Sequence, residues 1–392
     1  MNEKVHLMRI SLVFLIAPLF LHSGCKQDRP AGDRETSELP PPETDYPEEP
    51  FKWGFMDLSG HQVIPAVFDE VRPFSEGLAV VRLRGKWGFI DKQGRTRIPL
   101  QFKAAWPFCE GLARVLTFQD SMGFLRPDGN WAMAPVWEQA ADFQEGRSVI
   151  RQGELYGFID TAGTTVIAPA FEQAADFENG YAKARQDGRW GIINESGEWV
   201  IPPQFQQVGS FSGGLVRLRQ DGLFGFMDAG GKWIIPPAFQ SAGDFQDGLA
   251  PARSENGYGL INPSGSFVIP PTFDQVLHSG PNRWNVSLNG KFGVIDQNGN
   301  EIHPIRFDQL YTFSEGIAPY AVDELWGLAG IDGEIITPPE FALAWDFHSG
   351  LARAVTRAGI AFIDRQGNTV ISPFYYEARD FADGLAPIQL TR

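Results

Sequence analysis

Short hydrophobic segments separated by polar turns recur along the chain with a spacing of 34 residues, apart from one step of 35. The segment Trp53–Asp57 returns in similar form as Trp87–Asp91 and Tyr156–Asp160. Ten such units fill the chain from about Phe51 to its last residue. A fixed period of this length is the signature of a repeat architecture. The glycine of the motif keeps its phase in nine units, at Gly54, Gly88, Gly123, Gly157, Gly191, Gly225, Gly259, Gly293 and Gly327, and Ala361 replaces it in the last.

Each unit predicts short β-strands. A Trp-Gly-Phe-Ile-Asp segment such as Trp87–Asp91 is an aromatic-rich strand, and the Asp-x-x-Gly sequence that ends it favours a tight turn. A Val-Ile segment follows as a second strand, and we expect the Pro step after it to end the pairing. A Leu-Ala-x-Val-Arg segment forms a third strand and reaches the next unit through turns such as Asp187-Gly188. The pattern therefore predicts three-stranded antiparallel sheets.

A unit of this size cannot bury enough apolar surface alone, so its aromatic residues must pack against neighbouring units. The predicted fold class is an all-β repeat protein of ten units in a curved array. An open β-superhelix is favoured, because ten units exceed the usual four to eight blades of a propeller. A closed, propeller-like ring is the alternative, in which Leu385–Leu390 would pair with the first unit.

The repeat resembles a known family. The Lys86–Asp91 core, the Gly at position 94, the Pro step and the Phe-x-x-Gly-Leu-Ala tail at Phe74–Ala79 are similar to bacterial WG (KWG) repeat lipoproteins. The resemblance covers nearly all of residues 51–392. It departs from the pattern in unit seven, where His278–Trp284 replaces the tail. The resemblance implies a β-repeat, often in secreted or surface proteins, and no common enzymatic activity.

The N-terminal region predicts export and anchoring. Residues 1–24 resemble a signal peptide that ends in a lipobox-like Leu21–Gly24, and Cys25 is the predicted lipidation site. Residues 26–50 hold eight acidic residues, three basic residues and six prolines, a composition typical of an extended tether. Residues 51–392 are the ten repeats. The predicted location is the cell envelope, on the outer membrane or the cell surface, with the membrane contacted through the lipid anchor only.

Charge and motif content exclude several function classes. The formal net charge of −15 argues against nucleic acid, since phosphate contacts dominate that affinity. With Cys25 lipidated, Cys109 has no disulfide partner, and it is expected to fill a semi-buried site rather than act as a nucleophile. The six histidines are scattered, and no zinc spacing, nucleophile elbow or P-loop is present. No enzyme activity, catalytic residue, metal or cofactor is predicted.

Three sets of side chains recur in phase and are the candidate binding residues. Their structural alternatives are lateral packing for the aromatic set and ion pairs between units for the charged sets. The aromatic set comprises Trp131, Trp199, Trp233 and Phe267; the basic set comprises Arg151, Arg185, Arg219 and Arg253; an acidic set comprises Asp142, Asp176, Asp244, Asp346 and Asp380.

The sequence thus predicts a non-catalytic, envelope-anchored binding or scaffold protein. Its extended β-surface would meet a protein partner in the envelope or the extracellular space. The alternative is glycan or peptidoglycan binding, with Trp131, Trp199 and Trp233 as stacking platforms.

Overall fold

The computed structural model describes residues 50–391, and its secondary structure there consists entirely of β-strands. Forty strands form ten four-stranded antiparallel sheets, each of which is called a blade below. The all-β repeat fold expected from the sequence is confirmed. No helix that could cross a membrane occurs within residues 50–391. The predicted signal peptide, Cys25 and residues 26–49 of the predicted tether lie outside the described residues.

The blades close into a ring, a ten-bladed β-propeller. Blade 1 begins at Glu70, and blade 10 contains both ends of the described chain. In blade 10 the strand Phe51–Asp57 pairs antiparallel with Leu385–Thr391 through seven residue pairs. The closed ring, which was the alternative at the sequence level, is therefore confirmed and replaces the open superhelix that was favoured.

Within blades 1 to 9 the strands follow one another in space as they do in the chain, and they are numbered first to fourth in that order. In blade 10 the first two strands come from the C-terminal end and the last two from Phe51–Phe68. The first strands of blades 1 to 10 are Glu70–Val71, Ala104–Ala105, Gln139–Ala140, Gln173–Ala174, Gln207–Ser212, Ser241–Ala242, Gln275–His278, Gln309–Leu310, Leu343–His348 and Glu377–Ala378. The second strands are Leu78–Leu83, Ala113–Leu116, Arg147–Gln152, Tyr181–Gln186, Leu215–Gln220, Ala250–Ser254, Arg283–Leu288, Ile317–Val322, Leu351–Thr356 and Leu385–Thr391.

The third and fourth strands contain the motif that the sequence repeats. The third strands of blades 1 to 10 are Lys86–Asp91, Met122–Leu125, Leu155–Asp160, Arg189–Asn194, Leu223–Asp228, Gly257–Ile261, Lys291–Asp296, Leu325–Gly330, Gly359–Ile363 and Phe51–Asp57. The fourth strands are Thr96–Phe102, Trp131–Trp137, Thr165–Phe171, Trp199–Phe205, Trp233–Phe239, Phe267–Phe273, Glu301–Phe307, Ile335–Phe341, Thr369–Ile371 and Gln62–Phe68.

Two sequence expectations about the blade are corrected. The sheets have four strands rather than three, because a first strand, in most blades only two residues long, follows the fourth strand of the preceding blade. The Pro step does not end the pairing. In blade 1, Ile98 pairs with Phe89 and Phe102 pairs with Trp87, so the three residues between Ile98 and Phe102 form a bulge that contains the proline.

That bulge explains the motif glycine. At Gly88 an added Cβ would lie 2.7 Å from the carbonyl oxygen of Ile98, because the bulged fourth strand crosses over this position. The corresponding distance at Gly157 is 2.5 Å, to the carbonyl oxygen of Ile167. Such approaches are shorter than a side chain allows, so the glycine is required by the close passage of one backbone over another.

The Asp-x-x-Gly sequence forms the predicted tight turn. In blade 10 one carboxylate oxygen of Asp57 accepts hydrogen bonds from the amides of Ser59 and His61, while Gly60 adopts a φ of 83°. The Ser59 hydroxyl also donates to Asp57, and this bond is the main cause that holds the pKa of Asp57 below its usual value. The carboxylate is thus occupied by the turn itself.

Aromatic pairs form much of the core between blades. In six blades the Phe after the first strand packs edge-to-face on the Phe in the third strand of the preceding blade, a geometry worth about 1 kcal/mol beyond burial. Six pairs share this arrangement, with ring centroids 4.9–5.2 Å apart: Phe55–Phe74, Phe89–Phe108, Phe124–Phe143, Phe158–Phe177, Phe226–Phe245 and Phe362–Phe381.

Hydrogen bonds from backbone amides to carboxylates, called interblade clips below, join neighbouring blades at the turn before the second strand. Glu145, for example, accepts hydrogen bonds from the amides of Asn179 and Gly180 in the following blade, at 2.7 and 2.9 Å. The same contact closes the ring, since Asp383 of blade 10 accepts from the amide of Gly77 in blade 1 at 2.9 Å. The contact between blades 10 and 1 is therefore of the same kind as those between other neighbouring blades, such as blades 1 and 2.

Candidate functional site

The aromatic set predicted from the sequence, called the Trp row below, provides the first residue of the fourth strand in blades 2, 4, 5 and 6. Each ring packs edge-to-face on the Phe that ends the fourth strand of the preceding blade, so the row lies along interfaces between blades. The four pairs are Phe102–Trp131, Phe171–Trp199, Phe205–Trp233 and Phe239–Phe267, with centroids 5.5–6.1 Å apart.

Two Trp rings also lie over the motif glycine of their own blade. Cζ3 of Trp131 and Cζ3 of Trp199 come within 2.7 Å of where a Cβ would stand on Gly123 and Gly191. Trp131 is 40% exposed, whereas Trp199 is only partly exposed. These are the contacts that lateral packing requires, and a binding role of the row stays a prediction.

The basic set, called the Arg row below, lies on the second strands of blades 3 to 6. Each Arg stands opposite the aromatic residue at the beginning of the third strand, and three guanidinium groups lie 5.6–6.0 Å from the ring centroid. The cross-strand pairs are Arg151–Tyr156, Arg185–Trp190, Arg219–Phe224 and Arg253–Tyr258.

The Arg row is held mainly by local contacts. Nε of Arg151 donates to the carbonyl of Gly153 at 2.7 Å, and Arg253 is exposed. Arg185 lies 3.7 Å from Glu172, with both side chains more than a third exposed, so this ion pair contributes little to stability. Three of the four guanidinium groups are therefore positioned over aromatic rings. Arg253 is exposed, and the other three side chains are partly exposed.

The structure does not bring the Trp row and the Arg row together. In blade 4, Arg185 pairs with Trp190 near the beginning of the third strand, while Trp199 pairs with Ile193 near its end. The two rows therefore follow opposite ends of the third strands. A polar surface groove lies beside the Arg row between blades 4 and 5, and its lining includes Arg189, Gln204, Gln206, Arg219 and Asp221.

Sequence reasoning missed a second set of arginines, which partners the acidic set near the first strands. Each contacts an Asp of the following blade: Arg114 donates to Asp142 at 3.1 Å, Arg353 donates to Asp380 at 2.6 Å, and Arg217 forms an ion pair with Asp244 at 3.1 Å. These arginines lie two residues before the Arg-row position of the second strand. Arg353, for example, is the third residue of Leu351–Thr356. Other units carry Val, Pro, Lys or Asn there, so the sequence pattern gave only a weak signal.

Two members of the acidic set lack this partner. Val149 and Pro319 stand where the preceding blade would supply the arginine to Asp176 and Asp346. Burial raises the pKa of Asp176, and the nearby Asp142 carboxylate adds to the effect. Burial likewise raises the pKa of Asp346.

The remaining polar residues examined for chemistry have structural contacts. Cys109 donates from Sγ to the carbonyl of Phe143 at 3.3 Å, in the place where the Ser75 hydroxyl donates to Phe108. His303 is buried, and its Nε2 lies 2.7 Å from the carbonyl oxygen of Gly330. Among residues 50–391 no group of His, Cys, Asp or Glu could hold a metal ion.

A sequence-family model described as "WG containing repeat" matches ten segments that together span most of residues 53–391. The chain belongs to the WG repeat family. The match is shortened in unit seven, where the tail also departs from the pattern. The matched segments are residues 53–87, 87–117, 122–156, 156–190, 190–224, 224–257, 258–279, 292–326, 326–357 and 361–391.

No curated protein matches this WG repeat chain. Among solved structures, it is similar to the computationally designed Ika8 protein at 14% identity and a TM-score of 0.35, covering 81% of this chain and 98% of that one. A eukaryotic initiation factor is similar at 10% identity and a TM-score of 0.46, covering 73% and 95%. Hsv2p from Kluyveromyces lactis is similar at 8% identity and a TM-score of 0.32, covering 58% and 92%. These scores are too low to support a functional argument.

Proposed function

We propose that this WG repeat protein is a non-catalytic binding protein that presents the Arg row to a protein partner in the cell envelope. The observation that carries the proposal is a row of exposed or partly exposed arginines, which includes Arg219 in the polar groove between blades 4 and 5. Arginine held over an aromatic ring keeps its donors directed outward, and such residues are frequent energetic centres of protein interfaces. The fitting partner surface is rich in carboxylates.

Anchoring by a lipid on Cys25 belongs to the same proposal. A closed ring joined by interblade clips is a rigid platform, and the acidic tether would hold it away from the membrane that carries the anchor. The formal net charge of −15 makes an acidic partner unfavourable except at a local basic region, and the Arg row is such a region. Electrostatic matching of this kind sets specificity and association rate.

Glycan binding through the Trp row is a second candidate, supported by one observation. Trp131 is 40% exposed and stands at the beginning of the row, so part of its ring is available for stacking on a sugar. Phe171 and Phe205 contact the rings of Trp199 and Trp233, which reduces the area those rings can offer.

The test is crosslinking capture from intact cells, followed by affinity measurement with the purified captured protein. We expect Arg219→Gln combined with Arg253→Gln to weaken binding about tenfold, and the wild-type affinity to fall as salt rises. The matched control is Arg126→Gln with Arg357→Gln, which removes the same charge outside the row and should leave binding unchanged.

A different result would favour the alternative. If purified cell-wall glycan sediments with the wild type, and this is lost in Trp131→Ala with Trp199→Ala and Trp233→Ala but not in the Arg variant, the glycan function replaces the protein-binding proposal. Equal loss in the Arg-row variant and its charge-matched control would also count against the Arg row.

A further inference from the structure

A three-part contact recurs between neighbouring blades: an arginine of the second strand stacks on an aromatic ring beside the first strand and bonds to an Asp of the next blade. In blade 2 the Arg114 guanidinium lies 4.1 Å from the centroid of Trp106 and 3.1 Å from Asp142. It also donates to the carbonyl of Ala140 at 2.5 Å. The arginine is therefore held by a ring, a carboxylate and a carbonyl at once.

Blade 9 repeats this contact. The Arg353 guanidinium lies 4.5 Å from the centroid of Trp345, 2.6 Å from Asp380 and 3.0 Å from the carbonyl of Ala378. Two independent copies in one chain show that the arrangement is a reproducible way for this fold to hold a guanidinium group.

Blade 8 keeps two of the three parts. Tyr311 occupies the ring position, and Asp346 of blade 9 occupies the carboxylate position, but Pro319 stands where the arginine would be. The registers agree: the amide of Tyr311 donates to the carbonyl of Pro319 at 3.0 Å, as that of Trp106 does to Arg114 at 3.0 Å. The ring and the carboxylate are thus present without the cation that joins them elsewhere.

The Asp346 carboxylate is left incompletely satisfied. Its Oδ1 is buried and has no hydrogen-bond partner. Arg353 and His348 of the same blade lie near enough to act on the Asp346 charge, but their closest carboxylate contacts are with Asp380, at 2.6 and 4.0 Å. Buried carboxylates are normally paired, so an unpaired one in a conserved geometry of the repeat indicates a missing partner.

Solvent can reach both parts. Tyr311 is 37% exposed, and Asp346 is partly exposed, whereas Pro319 is buried. The charge of Asp346 is also felt at the ring: burial raises the pKa of the Tyr311 hydroxyl, and the Asp346 carboxylate raises it further. A cation from solvent would therefore reach the Tyr311 ring and the Asp346 carboxylate, which already interact electrostatically.

We propose that Tyr311 and Asp346 form a binding site for the guanidinium group of an arginine side chain presented by a partner protein. A planar guanidinium can stack on Tyr311 while donating to Asp346, as Arg114 and Arg353 do within the chain. Asp176, the other unpaired member of the acidic set, is a poorer site because Ala141 replaces the ring and Lys183 lies near it. The site is separate from the Arg row and does not depend on it.

The first experiment measures binding of N-acetylarginine amide by titration calorimetry, with N-acetylcitrulline amide as the neutral probe of the same shape. We expect the arginine probe to bind in the roughly millimolar range, and the citrulline probe to bind at least about tenfold more weakly. Asp346→Asn should abolish this preference. The control Asp323→Asn removes an exposed charge from a turn of blade 8, the blade of Tyr311, and should preserve the preference.

The second experiment fills the site from within. Pro319→Arg supplies the third part, so it should raise the melting temperature and eliminate binding of the arginine probe. Pro251→Arg is the matched control in blade 6, where Gly243 provides no ring and His278 stands in place of the Asp, and it should do neither. Equal binding of both probes to the wild type, or full binding by Asp346→Asn, would overturn the proposal even if Pro319→Arg failed to fold.

Discussion

At the scale of single residues, the ring accommodates an irregular unit when a larger side chain at one position compensates for smaller side chains at others. At the interface of blades 6 and 7, Leu260 and Ser279 replace the two Phe residues that pair elsewhere. Trp284 replaces the small residue at the second position of the second strand and is fully buried. It packs against Leu260 in one cluster, so its indole fills the volume that the lost rings leave. The sequence marked this unit as irregular, but only the packing shows why it folds.

Asp346 allows a prediction of stability against pH. Burial raises its pKa, so the folded state binds this proton more tightly than the unfolded state, and ionisation of the carboxylate destabilises the fold. The penalty appears as pH rises through the unfolded value of about 3.9 and is complete above the folded value. Asp346→Asn should therefore raise the melting temperature at pH 7 by about 1–2 °C, and the difference should shrink as pH falls toward about 4.

The control for that prediction is Asp380→Asn, measured by the same thermal melts. This substitution removes the acceptor of Arg353 and should lower the melting temperature at pH 7. If Asp346→Asn also lowers it, the carboxylate has a favourable partner in the folded chain, and both the stability argument and the open arginine site lose their basis.

At the scale of elements, the third strand and its turn follow directly from local chemistry. Aromatic residues, a turn Asp and a left-handed Gly specify them within eight residues, as from Trp87 to Gly94, so the sequence suffices. The first strands could not be predicted in the same way: Glu70–Val71 has two residues, too few for any periodic pattern. The fourth strand continues past its proline only because the bulge lets Phe102 pair again with Trp87. That pairing depends on contacts outside the segment.

Gly88→Ala tests the close crossing of the third and fourth strands. The new Cβ would lie 2.7 Å from the Ile98 carbonyl oxygen, and backbone atoms cannot move aside as a flexible side chain can. We expect the free energy of unfolding to fall by about 2–3 kcal/mol, measured by urea denaturation. Gly230→Ala is the control, since its Cβ would first meet a side-chain oxygen of Asp228 at 3.2 Å. A loss below about 0.5 kcal/mol for Gly88→Ala would refute the steric account of the motif.

At the scale of the whole molecule, ring closure is the property that the sequence could not decide. Each blade is rotated by a small angle relative to its neighbour, and the ring closes only if these angles add up to a full turn. No single unit determines that sum. The seam, where the two ends of the described chain pair within blade 10, differs from blades 7 and 8 in one contact. Asp274 and Asp308, just after fourth strands, accept the amides of hairpin turns at Asn289 and Asp323. In blade 10 that place is taken by Tyr376.

Blade 10 has no such hairpin turn, because its second and third strands lie at opposite ends of the described chain. Instead the Tyr376 ring stacks on Phe51, the first residue of the third strand, with centroids 4.2 Å apart. The aromatic contact replaces a polar contact that has lost its donor. The seam is therefore built as a normal blade with one covalent link missing.

A circular permutant tests this equivalence. In blade 10 Lys52 pairs with Leu390, as Lys86 pairs with Leu83 in blade 1, where a two-residue turn joins the partners. Joining Leu390 to Lys52 through Asn-Gly should complete the missing hairpin, and new ends can be opened between Asp187 and Gly188 in the equivalent turn of blade 4. We expect the permutant to melt within about 2 °C of the linear chain of residues 52–390, which also lacks the stacking of Phe51 on Tyr376. Deleting the strand Leu385–Thr391 should instead lower the melting temperature sharply and leave Phe51–Asp57 as an unpaired edge that promotes aggregation. A permutant as unstable as the truncated chain would mean that the ends at the seam contribute more than their shared blade geometry.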